Sequence, residues 1–425
     1  MAANTSIKLR NKVIYSIYVR NHTADGTFKS IIPDLDRIKS LGTDIIWFMP
    51  IHPIGEKHKK GSLGCPYSIF DYRKVNPNYG TIDDFKELVE EIHNRGMKCM
   101  IDVVYNHTSP DSVLSQEHPE WFYHDESGEI TARISDWSDV CDLNYDNSAL
   151  WDYQCETLKM WAKVVDGFRC DVASIVPVEF WKRARCEVAS VNPNFIWLAE
   201  SVDPGFIVHM RNNGYCGHSD SEVYEAFDIT YDYDIKNFFY DYVEGKIPLS
   251  RYVFELNRQE STYPKNYVKL RYLENHDIPR AAHTFPDIKR LTSWTAFMYF
   301  QKGTTMLYGG QEAANTVTPS LFEIDPVNWN TGTDLSPLIK NLTRIKPLPI
   351  VANGAYSLTD AGHDIVYGEY KSCENILVGI FSLKDMVESV TVPLPDGEYK
   401  NYTDNSSVTV KNGQVLCDRP IIIYK

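Results

Sequence analysis

The sequence predicts an α/β fold: a (β/α)8 barrel (TIM barrel) with a small insert after strand three and a C-terminal antiparallel β domain. Three observations carry that expectation. Short runs rich in Val, Ile and aromatic residues alternate with amphipathic helical stretches eight times over about 340 residues, the pattern of parallel strands covered by helices. The alternation pauses once, over residues 105–147, in a polar stretch too long to be a bare loop of a compact domain. After Pro347 the texture changes to short alternating segments separated by turn residues. The chain therefore divides into a barrel of residues 1–104 and 148–347, an inserted subdomain of 105–147 and a C-terminal β-sandwich-like domain of 348–425.

Residues 13–19 alternate Val, Tyr and Ile as a first strand. Over 28–41, Ile31, Ile32, Leu35 and Ile38 form a helical stripe closed by Gly42, which predicts one helix. Strand two spans 44–49 and stops at Pro50. Thr81-Ile82-Asp83-Asp84 opens a helix that ends near Gly96, and 97–104 is an almost wholly apolar third strand. Beyond the insert come a helix at 149–164, strand four at 166–171, a helix at 178–189 and strand five at 195–200. A short helix at 206–211 precedes strand six at 226–229. Helical segments within 233–258 lead to strand seven at 267–273, a helix at 288–300, strand eight at 304–308 and a last helix at 338–345. The C-terminal part reads as strands at 364–370, 375–382, 389–394 and 420–424, with Asp396-Gly397 and Asn412-Gly413 as hairpin turns.

Composition narrows the partners. The net charge of −14, without a basic run, argues against nucleic acid and against an anionic membrane surface. A neutral, hydroxyl-rich ligand is indifferent to that charge, and 27 Tyr and 9 Trp offer faces on which sugar rings stack. No apolar stretch reaches transmembrane length, and the amino terminus lacks the apolar core of a signal peptide. The nine Cys show no metal-type spacing, so free thiols in a cytoplasmic setting are expected. Oligomeric state is not legible.

Chemistry is legible at the strand ends, where barrels of this kind carry their catalytic groups. Asp171 ends strand four in Gly167-Phe168-Arg169-Cys170-Asp171, and alternation puts Arg169 on the same side as Asp171. Glu200 ends strand five. Asp277 follows strand seven in Leu273-Glu274-Asn275-His276-Asp277, and His107 lies just past strand three. Acids on neighbouring strands four and five are what retaining glycoside hydrolysis needs, one as nucleophile and the other as acid/base. Arg169 beside Asp171 predicts an ionised nucleophile. Glu200, with no cation next to it in sequence, is expected to have a raised pKa, as an acid catalyst requires. Asp277 is left to grip sugar hydroxyls and favour the oxocarbenium state.

These residues sit in motifs that resemble the α-amylase superfamily, family thirteen of the glycoside hydrolases. Asp102-Val103-Val104-Tyr105-Asn106-His107 is similar to its strand-three motif, the Gly167–Asp171 pentapeptide to its nucleophile motif, and Asn275-His276-Asp277 to that of its transition-state stabiliser. Cys65-Pro66-Tyr67-Ser68-Ile69-Phe70-Asp71-Tyr72, Asp142-Leu143-Asn144 and the Gly303–Glu312 run at strand eight agree with it. The resemblance implies that Tyr67 stacks under the sugar, that His107 and His276 bind its hydroxyls and that Arg169 holds Asp171. It also implies a structural Ca²⁺ with Asn106 and Asp142 among its ligands, to which Asp139 and a carbonyl near Ile175 are candidate additions; the alternative is that Asn106 and Asp142 merely hydrogen-bond across the insert.

The sequence departs from the family pattern after the nucleophile. Ser174 and Ile175 stand where many α-amylases carry Lys-His on the acceptor side, Val172 is reminiscent of members that cut α-1,6 or both linkages, and Ala199 replaces a common Gly. The short insert suggests an open cleft. The expected function is a retaining α-glucan hydrolase cutting α-1,4 bonds in malto-oligosaccharides, starch or glycogen. The alternatives are a glucanotransferase, an α-1,6 or dual-linkage glucosidase, and a non-catalytic glucan-binding relative, which the survival of all three acids disfavours.

Overall fold

The computed structural model describes residues 4–134 and 136–425. Residues 1–3, the start of the stretch read as lacking a leader, and Ser135 of the insert lie outside the described residues. The barrel strands are β1 (Val13–Ile17), β2 (Ile45–Phe48), β3 (Lys98–Val103), β4 (Gly167–Cys170), β5 (Ile196–Ala199), β6 (Ile229–Thr230), β7 (Leu270–Arg271) and β8 (Thr304–Tyr308). They pair in parallel in the order β6-β5-β4-β3-β2-β1-β8-β7, and a bridge between Thr230 and Lys269 brings β6 to β7 and closes the ring.

Side chains alternate across these strands as a pleat demands. Ile14, Trp47, Met100, Leu198 and Met306 pack together inside the barrel, whereas Tyr15, Phe48, Ile101, Phe168 and Trp197 join the core beneath the helices. Asp102 and Arg169 share the inward parity of Met100 and Gly167, one step nearer the carboxyl rim. That parity aims both side chains into the mouth. At the closing seam β6 and β7 are each only two residues long. Buried ion pairs stand there, Lys269 with Asp220 and Asp234 and Arg271 with Asp232.

The helix read as continuous over 28–41 is broken. Phe28–Ile31 and Leu35–Ser40 are α-helical, with a 3₁₀ turn at Ile32–Asp34 between them. Pro33 explains this: it has no N–H to donate and disfavours the α conformation of the residue before it. The apolar spacing survives the break, and Phe28, Ile31, Leu35 and Ile38 are all buried. The helix Ile82–Asn94 starts as its sequence suggests, with Thr81 Oγ1 accepting from Asp84 N and the Asp84 carboxylate accepting from Thr81 N.

The segment between β3 and β4 carries a two-residue antiparallel ladder, His107–Thr108 against Cys141–Asp142, and a short helix, Val113–Glu117. Beyond the barrel, β9 (Ala355–Asp360), β10 (Ile365–Lys371), β11 (Ile376–Ser382) and β16 (Ile421–Tyr424) form a four-stranded antiparallel sheet. Two ribbons complete this part: β12 (Glu388–Thr391) with β15 (Gln414–Cys417), and β13 (Gly397–Lys400) with β14 (Ser407–Val410). Asn412-Gly413 turns the β14–β15 corner with both residues at positive φ, 53° and 67°. Asp396-Gly397 makes no hairpin. Its carboxylate instead accepts from the Asn412 and Gly413 amides at 2.9 and 3.0 Å, holding the other turn in shape. Gly368 and Gly379 face each other in register and give Phe300 of the helix Ile288–Phe300 a flat seat, since a Cβ on either would meet its ring at 2.5 or 2.7 Å.

Candidate active site

Arg169 organises the rim. Its side chain is fully buried and its Nη1 donates to Asp171 Oδ1 at 2.7 Å and to Asp102 Oδ1 and Oδ2 at 3.0 and 3.2 Å. Its Nη2 lies 3.0 Å from Glu200 Oε2, without the alignment of a hydrogen bond. The Glu200 carboxylate takes a 2.8 Å hydrogen bond from the Val172 amide instead. Val172 sits at φ 36° and ψ 43°, the left-handed region that a β-branched residue rarely enters. Strand register explains why both acids reach one guanidinium: Cys170 pairs with Ala199, so Asp171 and Glu200 are the next residues of adjacent strands. A rigid guanidinium spans about 2 Å between its terminal nitrogens, so the two carboxylate oxygens stand within roughly 8 Å of each other.

Three carboxylates around one buried guanidinium cannot all ionise cheaply. Burial pushes the Asp171, Glu200 and Asp102 carboxyls up; Arg169 pulls each of them down. Repulsion from Asp171 and Asp277 adds to the rise at Glu200. Arg169, read from the sequence as keeping Asp171 ionised, does not by itself hold that carboxyl down: desolvation outweighs the cation. Equally, Glu200 is not remote from a cation, because the Arg169 fork crosses from β4 to β5. The two acids still differ. Asp171 takes an aligned, charge-assisted hydrogen bond at 2.7 Å, whereas the aligned donor to Glu200 is a neutral amide. The aligned cationic donor favours the negative charge on Asp171 over one on Glu200.

The remaining rim residues gather around this centre. Tyr67 OH donates to Asp102 Oδ2 at 3.0 Å and accepts from His276 Nε2 at 2.8 Å. The two rings are stacked, with centroids 5.2 Å apart and planes 11° apart. His276 Nε2 also lies 3.2 Å from Asp277 Oδ2, and the Asp277 side chain is 41% exposed, open to the cleft. His107 points Nε2 toward Asp171 Oδ2 at 3.9 Å and stands beside Trp137, whose ring neighbours Phe206. Burial pushes both imidazoles down to about 4, so each is a neutral ring with one N–H to give.

The model of the α-amylase catalytic domain matches residues 14–129 and 112–346, and that of the bacterial α-amylase C-terminal domain matches 357–423. The chain belongs to the α-amylase family, whose members are glycoside hydrolases. This α-amylase family member superposes on the crystal structure of an alpha-amylase from Lactobacillus plantarum with TM-score 0.97 and 46% identity, covering 99% of this chain and 100% of that one. It superposes on the noncanonic maltogenic alpha-amylase AmyB from Thermotoga neapolitana with TM-score 0.87 and 32% identity, covering 98% and 99%. Among curated proteins it is 26% identical to Alpha-amylase MalA of Haloarcula japonica over 94% of this chain, and it spans 60% of that protein's length.

Two residues of this α-amylase family site escaped the sequence reading. Asp102 lay inside a quoted motif with no role assigned; its place beneath Arg169 follows from the parity it shares with Met100. Tyr231, whose hydroxyl accepts from Arg169 Nε at 3.3 Å, comes from the end of β6, where no motif was visible. Together with Trp47 and Tyr67 it packs an aromatic ring against the guanidinium. Ser174 and Ile175 are buried and offer no acceptor-side contact. Asn106 and Asp142, the residues expected to hold calcium, both accept hydrogen bonds from the Arg133 guanidinium. Those donors do not fit a divalent cation alongside it. Among the described residues no group of three or more His, Cys, Asp or Glu side chains is arranged to hold a metal ion, and no helix is long and apolar enough to cross a membrane.

Proposed function

We propose that this chain is a retaining α-glucan hydrolase that cuts internal α-1,4-glucosidic bonds of malto-oligosaccharides, starch or glycogen. One observation carries the reading: Asp171 and Glu200 meet a single buried guanidinium from adjacent strands. The Asp171 carboxylate attacks the anomeric carbon while Glu200 passes its proton to the glycosidic oxygen. The leaving chain departs and a covalent glycosyl–enzyme forms. Glu200, now ionised, takes a proton from water, whose oxygen displaces Asp171 and restores the α configuration. Retention calls for carboxylates about 5–5.5 Å apart, which the shared guanidinium accommodates. With Glu200 protonated, Asp102, Asp171 and Arg169 sum to one negative charge, favourable to an oxocarbenium-like centre. Asp277 and the ring N–H of His107 are placed to hold hydroxyls, whereas the N–H of His276 is given to Tyr67 and braces that ring.

Linkage is the finer step. The likeness to the two solved amylases supports α-1,4 cleavage, and the half-buried Trp137–Phe206 pair supplies an aromatic platform beside His107. The same platform is the observation that favours transfer to an acceptor sugar as a second reading. A probable oligo-1,6-glucosidase of Bacillus subtilis and a maltosyltransferase of Streptomyces coelicolor, at 26% and 23% identity, keep both alternatives in view. All nine thiols are free, which supports a cytoplasmic setting. The test is chromatography of products from maltoheptaose, pullulan and panose. Short sugars without elongated chains, and panose from pullulan, are expected. Elongated products mean transfer, maltotriose from pullulan means α-1,6 cutting, and no turnover at all leaves only the glucan-binding relative.

A further inference from the structure

The insert is tied to the barrel by a guanidinium. Arg133 donates from its backbone N and its Nε to Asp142 Oδ2 at 3.0 and 2.8 Å, and from Nη2 to Asn106 Oδ1. Its side chain is 4% exposed and that of Asp142 is 0% exposed. Tyr123 and Tyr215 lie 4.6 and 5.4 Å from the guanidinium carbon, so aromatic groups supplement its oxygen acceptors. Three segments thus converge on one positive charge: the root of the insert at Asn106, just past β3, the middle of the insert, and the loop before β6. Asp139, the other acid available to a cation here, is paired with Lys60 at 2.8 Å. Charge is balanced without an ion. Adding Ca²⁺ would leave two buried positive charges in excess and would have to evict Arg133 from both oxygens.

The contact also reaches the reaction centre. Because Arg133 donates to Asn106 Oδ1, the Asn106 amide must turn its NH₂ the other way, and Nδ2 lies 3.1 Å from His107 Nδ1. An acceptor at Nδ1 puts the ring proton on Nε2, the atom that faces Asp171. We propose that Arg133 is a built-in replacement for a divalent cation, locking the insert to β3 and, through Asn106, positioning His107 with its N–H toward the sugar. The first half is independent of which linkage the enzyme cuts; the second rests on the proposed site.

Calorimetric titration of the whole protein with CaCl₂, and its thermal unfolding in EDTA and in millimolar CaCl₂, test the first half. No saturable heat and an unchanged midpoint are expected. Saturable binding, or a midpoint lowered by EDTA, overturns the proposal without touching the assignment of the acids. Arg133→Ala is expected to lower the unfolding midpoint by about 5 °C, with Arg133→Lys between it and the wild type because an ammonium lacks the planar fork. For the positioning role, KM for maltoheptaose should rise several-fold in both variants with kcat little changed. An Arg133→Ala midpoint equal to the wild type refutes the lock, and an unchanged KM in Arg133→Lys refutes the positioning. If Arg133→Ala does not fold, the wild-type titration and Arg133→Lys decide.

Discussion

Asp102→Asn removes a negative charge from the rim while preserving the size and shape of the side chain. In the wild type that carboxylate accepts from Arg169 Nη1 at 3.0 and 3.2 Å and from Tyr67 OH at 3.0 Å. The guanidinium it shares with Glu200 keeps the two acids within roughly 8 Å of each other. At that distance, through an effective dielectric of about 20, one charge is worth about 2 kcal/mol, or between one and two pH units. The sign follows from the roles. Glu200 must be protonated for the first step, so its ionisation forms the alkaline limb of the kcat/KM profile. Ionised Asp102 repels the Glu200 anion and raises its pKa; the neutral amide does not, and it leaves Arg169 freer to stabilise the anion. The alkaline limb should therefore move down by about one pH unit or more, measured on maltoheptaose across the pH range at constant ionic strength. An unmoved limb, or one displaced upward, would refute the reasoning that one guanidinium couples all three acids.

Other outcomes follow from the same geometry. Asp171→Asn and Glu200→Gln should each cut turnover by about 10³-fold or more while the protein stays folded; near-normal turnover in either removes it from the mechanism. Burial raises the Glu200 carboxyl above its unfolded value, so the stability its proton contributes is complete at low pH and is lost as pH rises through the folded value. Glutamine has no such loss, and the midpoint of Glu200→Gln should gain on the wild type between about pH 5 and about pH 8; a gap that narrows contradicts the assignment. In the C-terminal part, Gly413→Ala forces a side chain to φ 67° at a site where its Cβ meets only the Val392 carbonyl oxygen, at 3.9 Å. The strain should cost about 1 kcal/mol and leave kinetics untouched; an equally stable variant would mean that the turn is not what holds this corner.

Local pattern carried the barrel strands because alternation is a property of short segments, although strand six, read at 226–229, forms at Ile229–Thr230; it pointed to the three acids because strand ends are local too. Arg169 and Asp171, two apart, meet as their spacing predicts. What the segments cannot show is reach. That the Arg169 fork crosses from β4 to β5 depends on the register of Cys170 against Ala199, and this register is set by the closed barrel. Asp102 was hidden for the same reason, since its partner lies 67 residues on. Pro33 was a missed local signal: the apolar stripe around it was intact, and the absent N–H outweighed it. β9 was passed over because Ala355–Asp360 offers only Tyr356 and Leu358 as buried apolar positions, too few to read as alternation. Asp396-Gly397 had the composition of a hairpin turn, yet its carboxylate is committed to the neighbouring turn. Arg133 stands in a stretch with no period at all, and only the folded insert brings it to Asn106 and Asp142.

The central claim, that Asp171 attacks and Glu200 transfers the proton, can be tested by trapping. Glu200→Gln incubated with α-maltosyl fluoride retains a leaving group that departs without an acid, but it lacks the base that activates water. Mass spectrometry of the digested protein should then find one maltosyl group on the peptide that carries Asp171. No adduct, or an adduct on any other residue, contradicts the account.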